Sequence, residues 1–208
     1  KNLRRSRRRA DERVDEEGRR HSVEVVAEFA RVAQVLPELV DVYDDAERDR
    51  PRQHLLAGAW APFTIDLLET AAAADRLRLF VGRIDGCPVS FDLGLLSGGR
   101  LEIWLGRYAP AWARFSPGHL SMRAVINHAA EAGVREVDLG LGDDPYKRLW
   151  CPERYTTVRV TAASSPAAMS LGAGVLSARR RLWEWQRSRR ALSAGRRTAL
   201  AGQWETPR

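Results

Sequence analysis

Residues 100–147 read RLEIWLGRYAPAWARFSPGHLSMRAVINHAAEAGVREVDLGLGDDPYK, and this stretch decides the fold. Leu101, Ile103 and Leu105 put apolar groups on one face of a strand, and Trp104 and Tyr108 favour a pleated backbone. A loop of Ala, Trp and Arg follows. Ser116-Pro117-Gly118 then reads as a helix start, because the Ser116 hydroxyl can accept from an orphan N–H of the first turn and proline is tolerated at the first helical position. The helix runs to about Ala132 and Gly133 stops it, after which Glu136 to Gly140 alternates as a second strand with Val137 and Leu139 inward. Two strands joined by one helix lie parallel with a right-handed crossover. The helix start therefore sits at the carboxyl end of the first strand, where free N–H groups and a partial positive charge favour a phosphate. Gly118 lets such a ligand approach the backbone.

Upstream, Ser22 to Glu28 reads as a strand with Val23, Val25 and Ala27 on one face. Phe29 to about Ala46 reads as a helix, Glu47 to Gln53 as an exposed loop, and Pro62 opens a helix to about Ala74. Leu77 to Val81, Val89 to Leu96 and Leu101 to Leu105 form an antiparallel meander with turns at Asp85-Gly86 and Ser97-Gly98-Gly99. A parallel unit joined to an antiparallel meander predicts an α/β (α+β) fold with a mixed sheet.

At 208 residues, 44% hydrophobic and 29% charged, the composition fits a globular domain with a sizeable core. No signal peptide and no apolar run of about 18 residues is visible, and a cytoplasmic setting is the default. The start at Lys1 instead of Met predicts that an upstream region precedes this chain. Cys87 and Cys151 are too few for a disulfide framework and lack metal-type spacing, and the histidines at 21, 54, 119 and 128 form no zinc pattern. Cys87 reads as a small core residue, and Cys151 beside Trp150 as a minor candidate nucleophile.

The net charge of +7 belongs to the ends. Residues 1–20 hold nine basic and five acidic groups (+4) and residues 166–208 nine and two (+7), which leaves 7 − 4 − 7 = −4 for the middle. In the C-terminal segment Leu171, Ala178, Trp185, Leu192 and Ala199 recur every seven residues, with Val175 and Leu182 between them and arginines off the stripe. That pattern predicts a basic amphipathic helix. It either lies on an anionic membrane surface through residues 166–200 or docks on the protein's own sheet or a partner helix with the arginines solvated. Nothing in the chain patterns a DNA-binding motif, so no DNA partner is expected.

The strings Ser116-Pro117-Gly118-His119-Leu120, Gly133 and Asp138-Leu139-Gly140-Leu141-Gly142-Asp143-Asp144-Pro145-Tyr146-Lys147, with the hairpin Arg83-Ile84-Asp85-Gly86-Cys87-Pro88-Val89, resemble the GNAT-fold acetyltransferases called CelD-like or BioF2-like. The resemblance covers roughly residues 1–160. It implies a GNAT acyl-CoA N-acyltransferase-like fold with a basic N-terminal helix, to which the periodicity adds a basic C-terminal helix. With the C-terminal pattern it predicts a leading helix (1–20), an acyltransferase domain (21–163) and a C-terminal helix and tail (164–208). Two neighbouring parallel strands would splay apart to take the pantetheine arm of acetyl-CoA or another acyl-CoA, with Ser116, Gly118, His119 and Leu120 at its pyrophosphate. In the wider GNAT fold that turn carries Gln or Arg, two residues, Gly, one residue, then Gly or Ala. Phe115 and Leu120 depart from it here, and Pro117 removes one donor.

Acyl transfer from a thioester needs a base for the acceptor proton and an acid for the leaving thiolate, with positioning supplying much of the rest. Asp138, at the strand end, is either that base or a cap on the turn that follows. Tyr146 is either the acid or a packing residue. Lys147 either neutralises a phosphate or a carboxylate, or is solvated; His119 is either a phosphate contact or structural. Asp143 and Asp144 fit capping of the helix from Pro145. No metal is expected. Three functions follow: acyl transfer to an amine or hydroxyl of a small polar acceptor such as a sugar or an envelope precursor; an aminoacyl-tRNA-dependent ligase of the related fold, with tRNA as partner; or a degenerate domain without catalysis. The location is cytoplasmic, or peripheral at the inner membrane face.

Overall fold

The structure is a computed structural model that describes residues 17–48, 54–151 and 153–158, with single positions beyond these up to residue 181. The chain divides into two units after Arg154. In the second, Ser170, Gly174, Val175, Ser177, Ala178 and Arg181 are helical and exposed. Most of the expected leading helix and of the amphipathic C-terminal stripe lies outside the described residues, as do residues 49–53 of the expected loop.

In the first unit, β1 (His21–Val26), β2 (Leu77–Ile84), β3 (Cys87–Ser97), β4 (Arg100–Tyr108) and β5 (Glu136–Asp138) lie side by side in chain order. The first four strands are antiparallel neighbours and β4–β5 is parallel, giving the mixed sheet the pattern called for. Asp85 (φ 50°) and Gly86 (φ 80°) turn the chain from β2 into β3, both in the left-handed region that a two-residue hairpin needs.

Helices α1 (Phe29–Glu47) and α2 (Ala61–Ala73) cover one face of the sheet; α3 (Pro117–Glu131) covers the other, and α4 (Pro145–Trp150) follows β5. α1 buries Val32, Val35, Leu39, Val42 and Tyr43, an i, i+3, i+7 stripe, against Leu79, Val81, Phe91, Leu93 and Leu105. α3 packs Met122, Val125 and Ala129 against Phe80, Leu101 and Ile103, and Leu139 and Trp150 close that layer. Each fully buried Leu or Phe contributes about 2 kcal/mol. No helix among the described residues is long and apolar enough to cross a membrane.

β4 departs from the simple alternation. Leu93 pairs with Leu105 and Gly94 with Ile103, so Trp104 is the extra residue of a bulge. Leu101 and Ile103 consequently face α3 while Leu105 faces α1, which corrects the expectation of one shared face. Beyond the bulge Gly106 and Tyr108 approach Asp92 and Gly118 on the α3 side. Arg107 turns the other way, where its Nε donates to Glu47 (2.7 Å) and its ring-side face stacks 4.7 Å from Tyr43. β1 also reads differently. It is an edge strand, so Val25 stays 40% exposed and Val26 takes the buried position. Cys87, expected in the core, opens β3 at the hairpin and is exposed.

Candidate functional site

β4 and β5 pair only from Arg100↔Glu136 to Glu102↔Asp138. β4 runs on to Tyr108 while the chain leaves β5 through Gly140, whose φ of 69° turns it away from the strand direction. Among the described residues the edge of β4 beyond Ile103 therefore has no strand beside it. α3 starts beside this open edge: a Cβ placed on Gly118 would meet only Tyr108, at 3.6 Å. Neither backbone conformation nor crowding by the protein requires glycine at 118, and the space beside it faces the end of β4.

The helix start is sparer in donors than the sequence suggested. A short 3₁₀ segment (Pro110–Phe115) delivers the chain into α3 through Ser116 in the left-handed region (φ 55°, ψ 49°). Capping needs an extended residue at that position, so the Ser116 side chain makes no cap bond. Its N–H donates to Ala113 O (3.0 Å), and the N–H groups of His119 and Leu120 turn back onto Ser116 O (2.9 and 3.2 Å). Pro117 has no N–H. Gly118 N–H is the one amide of this turn without an acceptor among the described residues.

The turn after β5 is tied to itself. Gly140 N–H donates to Asp138 Oδ1 (2.8 Å), and Arg100 Nη1 reaches Asp138 Oδ2 at 3.5 Å. Lys147 Nζ donates to Leu141 O (2.6 Å) and Gly140 O (3.2 Å). Asp138 thus caps the following turn, and Lys147 braces it from the other end. Asp143 pairs with Arg148 and Arg154, and Asp144 occupies the N-cap position of α4 without a side-chain bond, so neither carboxylate caps α4 as expected.

Residues 1–148 match the family model described as an acetyltransferase (GNAT) domain. The chain belongs to the GNAT acetyltransferase family. It is similar to an aminoglycoside acetyltransferase from an uncultured soil metagenomic sample, solved in complex with sisomicin, at 11% identity over 70% of this chain and 97% of that one, with a TM-score of 0.51. It is also similar to the C-terminal domain of a putative lysylphosphatidylglycerol synthetase from Agrobacterium fabrum, at 21% identity over 72% of this chain and 43% of that one, with a TM-score of 0.49. A third likeness is to an aminoglycoside N-acetyltransferase in complex with CoA, at 13% identity over 71% of this chain and 97% of that one, with a TM-score of 0.45. No curated protein matches the chain. The family match makes this protein an acyltransferase, and the 0.51 likeness carries the fold.

In this acetyltransferase α4 is docked onto the start of α3. Trp150, 8% exposed, donates its indole N–H to His119 Nδ1 at 3.1 Å. An indole N–H can only donate, so the neutral His119 ring carries its proton on Nε2. Burial holds the His119 pKa down and so favours that neutral form. Leu120, expected at the cofactor, instead packs inward with Ile84, Val89 and Phe115, and offers a ligand nothing. Tyr146 is 45% exposed. Burial first, then the charges of Asp92 and Asp144, push its phenol above the usual value, so it keeps its proton. The Cys151 thiol is likewise pushed up, by burial and then by Asp138, which argues against a nucleophilic role. Among the described residues no group of three His, Cys, Asp or Glu side chains could hold a metal ion.

Sequence reading missed Asp92. It sits in the middle of β3, 8% exposed, with its carboxyl accepting from Ser121 Oγ at 2.5 Å. Burial pushes the carboxyl up to about 6, against the pull of the Ser121 hydrogen bond. The signal was present: aspartate is depleted in strands, and here it interrupts the apolar run from Val89 to Leu96.

Proposed function

We propose that this acetyltransferase moves an acetyl or other acyl group from an acyl-CoA to an amine or hydroxyl of a small polar acceptor, a sugar, amino sugar or envelope precursor, in the manner of the CelD-like branch. The unpaired edge of β4, opening beside the start of α3 at Gly118, carries this reading. The edge backbone beyond Ile103 suits the amides of a pantetheine arm, and the Gly118 N–H suits one phosphate oxygen at a helix N-terminus. A thioester arrives already activated, so the chain's own work is orientation and proton handling. Tyr146, half-exposed and with its phenol held above the usual value, is the group to which we assign protonation of the leaving thiolate. Asp138 and Lys147 hold the turn that carries it.

A thermal melt of the purified chain with millimolar acetyl-CoA tests this reading. A ligand at about 100 times its dissociation constant adds roughly 2.7 kcal/mol of stability. Gly118→Glu, which the surrounding structure accommodates, should melt normally and lose the shift. No shift in the unaltered protein would overturn the reading.

The single free amide at the α3 start favours one alternative, an aminoacyl-tRNA donor that does not rest a pyrophosphate there. That donor predicts tRNA retention falling steeply with salt, as phosphate contacts require. Salt-independent retention, or none, would exclude it.

A further inference from the structure

One ionisable side chain on the α3 side of the sheet is left without a role by the reading above. Asp92 lies between Phe80 of β2 and Gly106 of β4, its register partners. Above it, α3 contributes Ser121, whose hydroxyl donates to Oδ2 at 2.5 Å. The titratable group near it from α4 is Tyr146, whose phenol feels the Asp92 charge. Arg107, next along β4, is turned to the opposite face and held by Glu47 and Tyr43, where α1 packs. Among the described residues no cation contributes to the state of the Asp92 carboxyl.

The direction in which this carboxyl leans is informative. A Cβ on Gly106 would lie 2.3 Å from Asp92 Oδ1 and 3.4 Å from its Cγ, so Oδ1 extends across β4 in the space that glycine leaves. At residue 106 β4 is the outermost strand of the sheet among the described residues, since β5 ends opposite Glu102. Oδ1 thus reaches across β4 toward its open edge, and Tyr146 of α4 lies near enough to feel its charge. A fastener between β3 and α3 needs no charge, because an amide or hydroxyl would accept from Ser121 equally well. Burying a carboxyl with no cation partner costs stability, which marks the group as kept for proton chemistry.

We infer that Asp92 is the proton acceptor of the acyl transfer and that Ser121 is its positioning residue. The inference rests on the acyl-thioester reading proposed above. As the acceptor nitrogen or oxygen bonds to the acyl carbon, its proton passes to Asp92 Oδ1. The carbon–sulfur bond breaks with its electron pair on sulfur, and the thiolate takes a proton from the Tyr146 hydroxyl. Asp92 then releases its proton to solvent, and Tyr146 regains one from it.

The test uses the full chain, its Asp92→Asn form and its Ser121→Ala form, with acetyl-CoA as the probe. Difference infrared titration of unaltered minus Asp92→Asn protein isolates one carboxyl. Its midpoint should move when acetyl-CoA is bound, and should lie higher in Ser121→Ala, where the charged form loses its hydrogen bond. Thiol release from bound acetyl-CoA, with water as acceptor, should fall at least ~100-fold in Asp92→Asn while the melting shift with acetyl-CoA persists. A midpoint that bound acetyl-CoA leaves in place, or equal thiol release in the two proteins, overturns the inference. Absence of a melting shift in the unaltered protein overturns the acyl-CoA reading instead, and this inference with it.

Discussion

Replacing Asp92 by Asn should change how stability depends on pH. The Asp92 carboxyl titrates at about 6 in the fold against 3.8 as an ordinary side chain, because burial disfavours its charged form. A raised carboxyl pKa means that the folded state holds its proton more tightly than the unfolded chain does. The associated stability is complete below pH 3.8, and is lost as pH rises through about 6. Each pH unit between the two values is worth about 1.4 kcal/mol, so the ionised carboxylate costs the fold roughly 3 kcal/mol at neutral pH. Asn keeps the shape and an acceptor for Ser121 but removes the charge. Urea unfolding followed by tryptophan fluorescence should therefore show the unaltered protein losing about 3 kcal/mol relative to Asp92→Asn between about pH 4 and about pH 7. In melting temperature this relative loss is roughly 6–12 °C for a chain of this size. Glu24, Asp85 and Asp143 have lowered pKa values and contribute the opposite slope, but they are common to both proteins and cancel in the difference. Parallel pH dependences would refute the reasoning, since a carboxyl that ionises without penalty is not desolvated.

Gly106→Ala would force a Cβ to within 2.3 Å of Asp92 Oδ1. It should destabilise by about 1–3 kcal/mol in urea unfolding and shift the Asp92 titration, because the carboxyl has to move. Trp150→Phe removes the hydrogen bond to His119 Nδ1. It should cost about 1 kcal/mol and raise the His119 pKa followed by proton NMR, since that bond favours the neutral ring. Leu93→Ala, at a position with no exposure in the α1-facing core, should cost about 2–5 kcal/mol in urea unfolding without altering the acetyl-CoA melting shift.

Local chemistry made much of the fold legible. Pro117 and Gly133 bracket α3 in the sequence as they do in the structure, and the apolar spacing of α1 from Phe29 matches the stripe it buries. Asp85-Gly86 was legible as a turn because both positions take a positive φ, which that residue pair tolerates. What escaped reading depends on partners far away in the chain. The bulge at Trp104 arises from pairing with Leu93 and Gly94, and it reverses the faces of Leu105 and Arg107. The failed cap at Ser116 follows from the 3₁₀ segment before it, and Val25 stays exposed because β1 has a neighbour on one side only. Within the site, the helix start, the Gly-rich turn and Tyr146 were visible as a string of residues. The orientation of Asp92 was not, because its meaning comes from an absent side chain at Gly106 and a hydroxyl 29 residues on.

The short pairing of β5 has a consequence for how the open edge of β4 is framed. Three register pairs join β5 to the sheet, whereas eight join β2 to β3 and eight join β3 to β4. Among the described residues β5 is thus joined to the sheet by fewer pairs than any other strand, and α4, which bears Tyr146, is held by Trp150 packed against α3. Amide exchange at Val137 should proceed through small local openings, while that at Val81 waits for the whole unit to unfold. Such a molecule resembles a vice with one fixed jaw: β4 is gripped along its length by β3, while β5 holds by three pairs and depends on the layer that Leu139 and Trp150 close.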